Sequence, residues 1–216
     1  MKQYDQNRQT TLPGQRQDTQ RRHIAIAGVS GALLLSGLLL YEDVIVPDAA
    51  VWLGWGAAIG LASFLLVGSV IGLHLQIRSS YGRLGRIGMA LLAITFASFG
   101  MMGVMVTGLS AIGMNPETYR LGGVITARVF GSIGMLGMPI GALVLGTALW
   151  RHDLASKAVA ALLVLAFPGQ FVHIATVDVF MQLTGRGWGI LLFVIPLGLG
   201  WIGLCYYVWH RPPESR

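Results

Sequence analysis

The chain has one cysteine, Cys205, so no internal disulfide can form and nothing about an oxidising compartment follows from it. Charge is scarce: Asp, Glu, Lys and Arg make up 11% of the 216 residues, well below the roughly 25% of soluble domains. Long polar segments are missing too. The longest is the first 23 residues, which leaves no room for a soluble catalytic domain. Hydrophobic residues fill the space instead, at 54% of the chain, with a mean hydropathy of +0.66.

Six apolar stretches carry that hydropathy, at roughly 24–41, 50–76, 87–113, 121–149, 158–182 and 188–209. About 20 residues rising about 1.5 Å apiece cross the roughly 30 Å hydrocarbon core of a bilayer, so each stretch is long enough to span one as a helix. The expected fold class is an all-α integral membrane protein, a six-helix transmembrane bundle. Its short connections favour an antiparallel up-down order. Residues 1–22 read as a disordered basic tail on the cytoplasmic side, 23–210 as the six-span domain and 211–216 as a short cytoplasmic C-terminal tail.

A net charge of +6 suggests nucleic acid in a soluble domain, but here the cations lie between apolar spans and report topology. Lys2, Arg8, Arg16, Arg21, Arg22, Arg78, Arg83, Arg86, Arg151, Lys157, Arg211 and Arg216 all fall on one side. The other side has Arg120 and Arg186, and its first loop carries Glu42, Asp43 and Asp48. The bias predicts N-in and C-in in a plasma membrane, with the lipid bilayer as the main partner and no nucleic acid. Arg21-Arg22 before the first span resembles a twin-arginine export signal. The span is longer than a signal core, however, and Asp48-Ala49-Ala50 is a poor cleavage site, so a retained helix is expected.

Thirty glycines, most of them inside the spans, point to close helix packing, because small residues let backbones approach where lipid supplies no hydrophobic drive. Span four has the best row, Gly123, Ala127 and Gly131 followed by Gly137 and Gly141, and is expected to be the central helix. Those faces could equally seat another copy of the chain or partner subunits. Pro139, Pro168 and Pro196 predict kinks in spans four, five and six. Gly68, Gly141 and Gly200, each nine residues before Ile77, Trp150 and Trp209, hint at three hairpin repeats.

Arg128 is the fifteenth basic residue and the only one inside a span. A guanidinium there needs a partner or water. Asp178 near the outer end of span five is the expected partner, with His173 near mid-depth. Gln170, His173 and Thr176 recur every three residues after Pro168 and so share one face of the helix, a polar stripe, while Asp178 lies about 140° around from His173. These five residues are the candidate solute or proton site. A static interhelical clamp is the structural alternative.

No metal, cofactor or catalytic group is expected. His23, His74, His152 and His210 map to the cytoplasmic ends of spans and read as interfacial anchors. A haem on His173 would need a second ligand such as His74. Met101 and Met105 have the spacing of the methionine pair that resembles copper-uptake channels, without the small-residue motif that follows it there. Gly28-Val29-Ser30-Gly31 is similar to the nucleophile segment of rhomboid proteases, but span three lacks the histidine such a serine needs. Six spans match the size of the substrate-binding subunits of modular vitamin transporters, with no shared motif. Three function classes stay open: a small-solute or proton-linked transporter or channel, a non-catalytic membrane subunit, and a haem-bearing redox subunit.

Overall fold

The structure is a computed structural model that describes residues 13–41, 44, 52–112 and 123–210; the side chains of 13–17, 52, 53, 123–128 and 131 lie outside that description. Among the described residues six α-helices run in order: α1 Pro13–Leu40, α2 Trp52–Ile77, α3 Gly82–Ala111, α4 Gly123–Arg151, α5 Lys157–Thr184 and α6 Leu191–His210, the last entered through a 3-10 turn at Trp188–Ile190. No strand occurs among the described residues. Each helix includes a stretch long and apolar enough to cross a membrane.

Local chemistry sets several helix ends. Ser156 opens α5 by accepting a hydrogen bond from the Val159 amide at 3.2 Å, satisfying one of the donors a helix start leaves over. Gly185 closes α5 in the left-handed region, φ 67°, with its amide donating to the Met181 carbonyl. That geometry favours glycine because it has no Cβ. Gly82 starts α3 at φ 64°. Its missing Cβ also makes room for His152 from the α4–α5 turn, whose Nε2 would stand 3.2 Å from such an atom.

Each helix packs on its neighbours in sequence, and α1 closes on α6, so the six form a ring. Side chains fill its middle. Trp201 of α6 meets Phe96 of α3 edge-to-face at 5.9 Å, with Ala32, Leu35 and Leu66 around a residual cavity of about 20 Å³. No helix is central. In a closed ring every helix keeps an outer face, so α4, expected as the central helix, is one member of the ring.

Glycines bring the neighbours together. On α3 a Cβ at Gly103 would stand 2.5 Å from the Gly60 amide nitrogen and 2.6 Å from the Gly56 carbonyl of α2, so that seam is backbone on backbone. Gly137 and Gly141 of α4 take Thr95 and Leu92 of α3 against their Cα atoms, and Gly146 faces the Ala160 carbonyl of α5. Gly123, Ala127 and Gly131, the other members of the expected packing row, lie outside the described side chains. The repeat pattern does not extend to contacts: Gly141 and Gly200 are packed, whereas Gly68 has open space around it.

The helix α1 reaches back to Pro13, into the segment expected as a mobile tail; residues 1–12 and 211–216 lie outside the description. Pro139, Pro168 and Pro196 all sit inside uninterrupted helices. Arg22 of α1 stacks over Trp209 of α6 at 5.8 Å, so the start of the first helix and the end of the last meet at one end of the bundle.

Candidate functional site

Of the candidate residues, Gln170, His173 and Thr176 are brought onto one face of α5, as their spacing requires. Gln170 is 1% exposed and His173 6%, while Thr176 is half-buried. The 3-10 turn before α6 covers this face. A Cβ at Gly189 would stand 2.7 Å from the Thr176 hydroxyl and 3.4 Å from His173 Nδ1, so only glycine lets the turn come this close.

The proline of α6 contributes as well. Pro196 has no N–H to give the Leu192 carbonyl four residues back, and that carbonyl points at Gly169 of α5, where a Cβ would collide with it. Only glycine leaves room for that carbonyl against α5. Gly169 thereby locks α5 against α6 one residue before Gln170.

Position along the neighbouring helix adds to the sequence reading. His173 is level with Gly189, just before α6 begins, while α5 runs on to Thr184. The cause is stagger. Gly203 and Gly200 of α6 face Val159 and Leu163, while Gly169 and His173 face Leu192 and Gly189, so α5 is displaced along α6 and its last turns run past the start of that helix. The polar stripe lies near an end, under a turn.

Among the described residues the amide of Gln170 has neither its nitrogen nor its oxygen hydrogen-bonded, and both atoms are buried. The Thr176 hydroxyl donates to the Val172 carbonyl at 2.7 Å, leaving its oxygen lone pairs to face the stripe. Asp178 is exposed and makes no ion pair among the described residues. Arg128 lies on α4, but its side chain is outside the description, and so is the expected Arg128–Asp178 pair.

The histidine pairing considered for a haem does not form. His74 lies near the end of α2 in the termini half and bonds through Nδ1 with the Tyr81 hydroxyl, whereas His173 is at the far end. Of the other histidines, His152 and His210 sit at the ends of α4 and α6, whereas His23 lies inside α1, which begins at Pro13. Among the described residues no group of three His, Cys, Asp or Glu side chains could hold a metal ion.

Two features have little sequence signal. The cover over the stripe is marked only by Gly185, Gly187 and Gly189, which also fit a plain turn. The second is Tyr81, whose ring is fully buried between α2 and α3. Burial pushes its phenol up to about 12, against a smaller lowering by Arg86. No family model matches the chain, and neither a curated protein nor a solved structure is significantly similar to it.

Proposed function

We propose that this is a multi-span integral membrane protein of the plasma membrane, with both termini in the cytoplasm, which binds and passes a small solute or protons through the Gln170–His173–Thr176 face of α5. Six apolar helices support the membrane reading, and the bias of flanking cations supports the orientation. The observation that carries the functional reading is the Gln170 amide, buried with no partner at either atom among the described residues. Transferring such a group from water without a compensating hydrogen bond costs about 2–7 kcal/mol, and a bilayer supplies no partner. A solute that pairs with both atoms removes that cost, whereas the empty site keeps it.

Near the outer end of the bundle, the site is reached from outside past the 3-10 turn. Arg128 and Asp178 pair across α4 and α5 in this reading and form the charged rim of the entrance. The test is flux. Purified protein in liposomes should raise permeability to small solutes or protons above that of protein-free liposomes, and Gln170→Leu should remove the increase. Equal permeability of wild-type and protein-free liposomes across water, small polar solutes and protons would defeat the reading.

One observation favours a second reading, a non-catalytic subunit. Gly37, Gly68 and Gly108 are exposed with nothing within 4 Å of where a Cβ would be, leaving room for helices of another chain. Crosslinking between cysteines placed at Gly68 and a partner helix, with no flux in the liposome assay, supports that reading over the first.

A further inference from the structure

The chemistry of the α5 face narrows what it takes. Gln170 offers two N–H donors and a carbonyl acceptor side by side, without a hydrogen-bond partner among the described residues. Thr176 has spent its hydrogen on Val172 and presents only lone pairs. His173 supplies an imidazole, which as the neutral ring has one donor and one acceptor. No described side chain facing the stripe carries a permanent charge: Asp178 is exposed about 140° around α5 from His173, and Arg186 beyond the helix end stacks over Trp188 at 6.0 Å. An ion stripped of water on this face would meet no opposite charge among the described side chains, and an uncompensated charge in low dielectric is costly.

We infer that the site binds a small uncharged carboxamide or urea-like solute, held by a two-hydrogen-bond pairing with the Gln170 amide. A planar amide carries a carbonyl and an N–H in the same arrangement as Gln170, so one molecule satisfies donor and acceptor together. Water can fill either position but fixes neither in plane. The inference rests on the solute-passing reading above and specifies its substrate class.

The experiment uses matched pairs of nearly equal shape and different charge: urea against guanidinium, and acetamide against acetate. Full-length protein is reconstituted in liposomes and solute entry followed by stopped-flow light scattering. Urea and acetamide should enter faster than in protein-free liposomes, with guanidinium and acetate unchanged. Gln170→Leu loses both hydrogen bonds of the pairing and should cut the amide flux about tenfold or more. Gln170→Glu, which keeps the shape but loses the N–H donors, should also lower it, and this second variant guards against a packing effect of leucine.

Flux of guanidinium, acetate or protons that depends on Gln170 and exceeds urea flux overturns the neutral-solute inference while leaving the solute-passing reading standing. Enhanced permeability to water alone does the same. Absence of every flux overturns both. Urea entry that is equal in wild type and in both Gln170 variants overturns the assignment of the site to this face.

Discussion

Replacing Gln170 with leucine should make the protein more stable, the opposite of what loss of a structural clamp would do. The amide is 1% exposed and neither of its polar atoms is paired. Leaving a buried donor or acceptor unsatisfied costs about 1–3 kcal/mol, whereas an apolar group of similar size has no such demand. The gain is therefore about 1–3 kcal/mol. For a chain of this size each kcal/mol moves the midpoint by about 2–4 °C, so Tm should rise by roughly 2–12 °C. Thermal unfolding of the purified protein in detergent, followed by helical circular dichroism, reads it directly. Liposome flux should fall in the same variant, the exchange of activity for stability expected where a site holds an unmet polar group. A drop in Tm of several degrees would refute the reasoning, since it would mean the amide is bonded within the protein.

Gly103→Leu should lower stability by about 1–3 kcal/mol through overpacking of the α2–α3 seam, while Gly68→Ala, in open space, should raise it by about 0.5–1 kcal/mol; both are read as shifts in Tm. Tyr81 ionises at about 12 in the folded protein against 10.0 for the free group, so its contribution to stability is complete below pH 10 and is lost as pH rises from there to about 12. The alkaline fall in Tm should be smaller in Tyr81→Phe. Arg128→Ala, Asp178→Ala and the double variant should show a coupling of about 0.5–3 kcal/mol in a double-mutant cycle; a coupling near zero removes the proposed pair.

Much of the fold is legible in the sequence because the six apolar runs are long and the turns between them are short. The face shared by Gln170, His173 and Thr176 is legible for a similar reason: helical period alone places them together. Axial position is different. The sequence gives no measure of how far α5 slides along α6, since that stagger depends on Gly169 admitting the Leu192 carbonyl and Gly189 admitting His173, contacts between residues far apart in the chain or separated by a turn. The same limit explains span four, whose row of small residues marks a packed helix but cannot say whether it is central or one member of a ring. The bond between His74 and Tyr81 depends on the turn geometry at Gly82, and a histidine at a helix end otherwise reads as an anchor.

The most direct test of the central claim, that solvent or solute reaches the buried amide, is thiol accessibility at Gln170. The single native cysteine, Cys205, is fully buried beside Ser69 and provides a silent background. Gln170→Cys in sealed, oriented liposomes should react with a membrane-impermeant thiol reagent added on the side opposite the termini. Labelling of Gln170→Cys only after unfolding, as expected for Cys205, would contradict the account.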